Sequence, residues 1–122
     1  MMRALCITAA LCAGTATAQE APAGLAEASG AILRGLDKVA GTASDIELSV
    51  GQSVAFGHIT VTLNDCRYPP DDPSSNAYAF VTVTEGNLEA PVFAGWMIAA
   101  SPALSALDHQ RYDVWVMRCK ID

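Results

Sequence analysis

Histidine is almost absent from this 122-residue chain: only His58 and His109 are present. Metal centres draw on clustered His, Cys and carboxylate ligands, and two isolated histidines do not supply such a cluster. Basic side chains are also scarce. Seven Lys and Arg stand against thirteen Asp and Glu, for a formal net charge of −6. That balance argues against phosphate recognition, and so against nucleic acid as a partner. It also makes an anionic membrane surface unattractive. The chain has no Gly-x-Ser-x-Gly elbow and no glycine-rich phosphate loop. After the N-terminal segment, no apolar run reaches the roughly 18 residues that span a bilayer.

What the chain does have begins at its first residues. Met1-Met2-Arg3 is a short basic start, Ala4 to Gly14 is an apolar run, and Ala16-Thr17-Ala18 supplies the small residues of a cleavage site. Residues 1–18 therefore read as a secretory signal peptide, with the mature chain starting at Gln19 and residing in the periplasm. Cleavage removes Cys6 and Cys12 and leaves Cys66 and Cys119. Two cysteines in a small exported domain are most simply one disulfide. The remaining 104 residues suit one domain with one core, carrying a formal charge of −7 once Arg3 is gone.

Residues 19–30, rich in Ala with Pro22 and two Gly, read as a flexible linker, and 31–122 as a single β-rich domain. In residues 31–39, Ile32, Leu33, Leu36 and Val39 recur at helical spacing, although Gly35 weakens a helix by about 1 kcal/mol. This stretch predicts a short N-terminal helix or an ordered extended arm, with an edge strand as the alternative. From Asp45 the period becomes two: Ile46, Leu48 and Val50, then Val54 and Phe56, then Ile59, Val61 and Leu63. Residues 64–76 read as a Pro-, Asp- and Ser-rich loop holding Cys66 near its start. Residues 77–84, 92–98 and 112–119 read as further strands. Ser101-Pro102 looks like the N-cap and first residue of a short helical crossover. Six or seven short strands predict a mostly β, antiparallel sandwich or a small, partly open barrel.

Catalytic signals are thin. Ser101, His109 and Asp113 can be written as Ser, His and Asp, but co-occurrence is not geometry. Asp71-Asp72 lies among prolines, where carboxylates form turns. The sequence thus points to no catalytic residue, cofactor or metal ligand. The aromatics are the richer feature. Trp96 and Trp115 lie on strands, and serve either the core or an exposed patch. The density of Trp96, Met97, His109, Tyr112 and Trp115 where the 92–98 strand, the crossover and the last strand meet marks a candidate binding surface. In that expectation Tyr112 and His109 are surface groups and Trp115 faces inward.

The run Gly95-Trp96-Met97-Ile98-Ala99-Ala100-Ser101-Pro102-Ala103-Leu104, then His109 and Tyr112-Asp113-Val114-Trp115-Val116-Met117-Arg118-Cys119, carries a family signature. With Leu33-Arg34-Gly35-Leu36-Asp37-Lys38 and Phe56-Gly57, it resembles a family of small secreted alphaproteobacterial proteins catalogued as domain of unknown function 2155. The likeness runs from about Ile32 to Cys119. It implies an exported, periplasmic domain that keeps its two cysteines, and it transfers no catalytic residue. Ile98 and Ala100 depart from the aromatic residue and second serine often found in the family. Together these features predict a non-enzymatic binding or adaptor protein for an envelope component. The alternative is a small-ligand or glycan-binding module that uses strand-borne aromatics.

Overall fold

The computed structural model describes residues 23–121, so the signal segment and the first residues of the linker lie outside it. Among the described residues nine strands follow one another: β1 (Ala26–Glu27), β2 (Gly30–Asp37), β3 (Thr42–Ser49), β4 (Ser53–Phe56), β5 (Ile59–Tyr68), β6 (Tyr78–Glu85), β7 (Phe93–Ile98), β8 (Leu107–Asp108) and β9 (Tyr112–Lys120). They form two antiparallel sheets. The five-stranded sheet runs β1-β5-β6-β7, with β4 also paired to β5; the four-stranded sheet runs β3-β2-β9-β8. The sheets do not close on themselves, so the architecture is a sandwich and not a barrel.

The core lies between the sheets and follows from two-residue alternation. Ile59, Val61, Leu63, Val81, Val83 and Met97 point inward from one sheet. Leu33, Ile46, Leu48, Tyr112, Val114 and Val116 meet them from the other. The alternation read from Ile46 to Leu63 and along 77–84 therefore marks the buried faces correctly.

The segment 31–39 is neither a helix nor an edge strand. β2 is the centre of its sheet, paired to β3 on one side and β9 on the other. Its inward residues are Ala31, Leu33 and Gly35, while Ile32, Arg34 and Leu36 face out and are half-buried. Apolar residues on both faces of this strand mimic helical spacing. Gly35, which weakens a helix, is an asset here: a Cβ at this position would stand 2.7 Å from the Phe56 ring, which occupies that space.

Other departures are local. Ala26–Glu27, inside the stretch read as a linker, pairs with Arg67 and Tyr68 of β5. The stretch read as a loop from residue 64 begins later, because β5 continues to Tyr68 and carries Cys66. The crossover helix is a single 3-10 turn, Pro102–Leu104. The Ser101 carbonyl accepts the Leu104 N–H at 3.1 Å, but the Ser101 side chain makes no cap.

Cys66 and Cys119 form a disulfide between the sheets, with their Cα atoms 5.9 Å apart. Two bulges make this meeting possible. On β5, Leu63 pairs with Val81 and Asp65 with Phe80, leaving Asn64 extra. On β9, Val116 pairs with Leu33 and Arg118 with Ile32, leaving Met117 extra. Each extra residue shifts the alternation by one. Without the shifts, both cysteines would point away from the core.

Candidate functional site

The five residues of the candidate surface do not form one patch. Met97 and Tyr112 are core residues, 0% and 1% exposed. Their position follows from alternation, since Tyr112 precedes Val114 and Val116 at two-residue steps. Tyr112 packs edge-on against Phe56, with ring centroids 5.5 Å apart. Its hydroxyl accepts the His58 N–H. A phenol fits this site because its apolar body fills the core while its polar tip satisfies a turn. Trp115, by the same alternation, faces outward from β9 and not inward. Trp96 faces outward from β7. They occupy the outer faces of different sheets.

His109 sits at one end of the sandwich, and both ring nitrogens are engaged. Nδ1 accepts the N–H groups of Arg111 (2.9 Å) and Tyr112 (3.3 Å). That arrangement places the ring proton on Nε2, which donates to the Glu85 carboxylate at 3.0 Å. The side chain thus ties the end of β6 in one sheet to the turn before β9 in the other. Asp113 lies 3.4 Å from the Lys38 ammonium, and Lys38 also donates to the His109 carbonyl at 2.6 Å. Ser101, His109 and Asp113 are therefore not a relay, because the ring is committed to Glu85 and to backbone. Asp72 likewise forms turns, accepting from Ser74 and Ser75.

Asp37 completes this end. Its carboxylate accepts from Arg111 Nε and Nη2, and from the N–H groups of Val39 and Ala40. The Arg111 hydrogen bond, then the Ala40 amide, hold its carboxyl below the usual carboxylate range. Sequence reasoning missed Glu85 and Arg111, and marked Asp37 only within the Leu33–Lys38 run, whereas its partner is Arg111. The four-residue turn after β2 hinted at Asp37, since Asp caps turns through its own side chain. Among the described residues, no group of three or more His, Cys, Asp and Glu is placed to hold a metal ion.

The outer faces are chemically distinct. On the four-stranded sheet, Trp115 stands directly opposite Arg34. Ile32 and Leu36 lie on the diagonals, within reach of a ring that size, and Met117 follows along β9. All four apolar side chains are half-buried. Arg34, between Ile32 and Leu36 on β2, pairs with Asp45 at 2.9 Å, and the ion pairs of Lys38 with Asp113 and of Lys120 with Glu47 flank the set. On the five-stranded sheet, Phe80 lies opposite Trp96 and Tyr78 opposite Ile98. The Phe80 and Trp96 rings meet edge to face, centroids 5.3 Å apart, and the Arg67 guanidinium lies 6.0 Å from the Trp96 ring.

Among the described residues, no helix is long and apolar enough to cross a membrane. No solved structure matches the chain. An uncharacterized protein of Rickettsia prowazekii (strain Madrid E) is 30% identical over 87 residues, which cover 69% of this chain and 56% of that protein. The chain thus spans about half the length of that relative. The family model described as "Uncharacterized protein conserved in bacteria (DUF2155)" matches residues 31–119. That match starts at the first core residue of β2 and stops at the second cysteine of the disulfide. It covers the sandwich and not one motif within it, and the chain belongs to this family.

Proposed function

We propose that this protein is an exported, non-enzymatic binding module that docks a protein of the cell envelope on the outer face of its four-stranded sheet. One observation carries the reading: Trp115 stands among the half-buried apolar side chains Ile32, Leu36 and Met117, with the Arg34–Asp45 pair beside it and two further ion pairs flanking the set. Protein interfaces have this anatomy, an aromatic anchor in an apolar centre within a polar rim. Periplasmic residence is supported by the character of residues 1–18 and by a disulfide, which persists in an oxidising compartment. The non-enzymatic reading is supported by the fixed hydrogen bonding of His109 and Asp37, the groups best suited to proton transfer.

Affinity purification from the periplasm tests the proposal, using wild type, Trp115→Ala and Trp96→Ala. A stoichiometric protein should accompany wild type and Trp96→Ala and be lost with Trp115→Ala. Trp115→Ala should melt close to wild type, because its ring stands outside the core. Retention of the partner by Trp115→Ala and by Leu36→Glu would overturn the proposal.

A further inference from the structure

The outer face of the five-stranded sheet has a layout that the docking face does not explain. Its side chains form ordered cross-strand rows. Arg67, Tyr78 and Ile98 make one row, and Asp65, Phe80 and Trp96 the next. Then the side chains shorten abruptly. Ser53, Thr62, Thr82 and Ala94 form the third row, and Ala55, Thr60 and Thr84 the fourth. An aromatic wall therefore rises beside a low shelf of hydroxyl and methyl groups. Such a shelf follows from two Thr-x-Thr runs in register, Thr60-Val61-Thr62 and Thr82-Val83-Thr84, whose intervening valines are both buried. Outward threonines also suit a pleated surface on local grounds, but that preference does not account for three aromatic rings beside them.

The polar groups at the step are held in place. The Thr82 hydroxyl donates to Asn64 Oδ1 at 2.7 Å. Asn64 is the bulge residue of β5, which turns its amide onto this face. Arg67 pairs with Asp65 at 2.9 Å and with Glu27 at 3.6 Å. The charges of this face are therefore tied to one another, two carboxylates to one guanidinium, and the face offers directional hydrogen bonding with no net positive charge.

From this arrangement we infer that the outer face of the five-stranded sheet is a binding site for a neutral glycan chain, separate from the proposed protein-docking face. A pyranose ring has an apolar C–H face and a rim of hydroxyls. Its C–H face suits the wall of Phe80 and Trp96, and its hydroxyls suit Asn64, Thr82 and the Asp65–Arg67 pair. Internal pairing of the charges on this face favours an uncharged ligand. The formal charge of −6 disfavours an acidic polysaccharide. An edge-to-face aromatic pair also presents its ring faces and edges in fixed orientation, so little side-chain freedom is lost on binding.

The full mature protein, titrated with chitohexaose and cellohexaose as soluble neutral probes and with chitin particles as an insoluble one, tests the inference. Amide chemical shifts follow the soluble probes and co-sedimentation follows the chitin. At least one probe should bind, with shifts confined to β5, β6 and β7. Trp96→Ala should weaken that binding on the order of tenfold or more, and Trp115→Ala should leave it unchanged. Ala94→Arg places a long charged side chain on an exposed part of the shelf and leaves the core untouched, so it should abolish binding in a folded protein. Two outcomes would each overturn the inference: no binding to any of the three probes, or binding that survives Ala94→Arg.

Discussion

The Tyr112 hydroxyl accepts the backbone N–H of His58 at 3.0 Å, joining β9 of one sheet to the β4–β5 turn of the other across 54 positions. Gly57, the residue before His58, has φ of +58°. A Cβ there would overlap the Tyr112 hydroxyl. The turn between β4 and β5 is thus shaped for the phenol as much as the phenol for the turn. Tyr112→Phe should cost about 1 kcal/mol, the net worth of one hydrogen bond. Tyr112→Ala should cost about 3–5 kcal/mol through the cavity it leaves. Gly57→Ala should cost about 2 kcal/mol or more from strain and overlap together. Denaturant midpoints of the three variants check this order, and a midpoint for Tyr112→Phe equal to wild type would refute the role of the hydroxyl.

The disulfide closes a sequence separation of 53 residues. Loop entropy assigns such a closure about 4 kcal/mol. In a domain whose total stability is about 5–15 kcal/mol, that is a large share. Cys66→Ala/Cys119→Ala should unfold at a much lower urea concentration, and wild type in reductant should follow it. A double variant within about 1 kcal/mol of oxidised wild type would show that sheet packing alone holds the fold.

Acid sensitivity should trace to Asp37. Its folded-state pKa lies below the unfolded value, chiefly through the Arg111 hydrogen bond. A depressed carboxylate contributes stability that is fully present above the unfolded pKa, about 4. The contribution is lost as pH falls through the lower, folded value. Glu47, lowered by Lys120, acts with the same sign at a more exposed site, where added salt should weaken it. Thermal melts from pH 7 down to pH 2 should fall more steeply for wild type than for Asp37→Asn once pH drops below about 4. Parallel curves for the two proteins would remove Asp37 from the account.

The parts of the fold that were legible in the sequence are those with one buried face. Ile46 and Leu48, Ile59 to Leu63, and the strand at 77–84 alternate strictly, and alternation reports a half-buried sheet directly. β2 is not legible as a central strand because it is apolar on both sides and a glycine fills one of its core positions. β1 and β8 have two residues each, too few for any period to register. The candidate surface fails for a different reason. Density of aromatic and polar residues along the chain is not proximity in space, because successive strand residues face opposite ways. Tyr112, Val114 and Val116 already carry that alternation, and it places Trp115 outside. Nothing in the sequence marks Asn64 and Met117 as bulge residues, because a bulge depends on the partner strand.

Those two bulges make the cross-link a matter of counting. Deleting Met117 or Asn64 would leave every thiol in the chain intact, yet would turn one cysteine toward solvent and strand the other in the core. The outward thiol would then be free to react with a second molecule, and oxidation would link chains in place of sheets. Whether the cross-link closes within one chain or joins two thus rests on Asn64 and Met117, whose presence sets the phase of each strand.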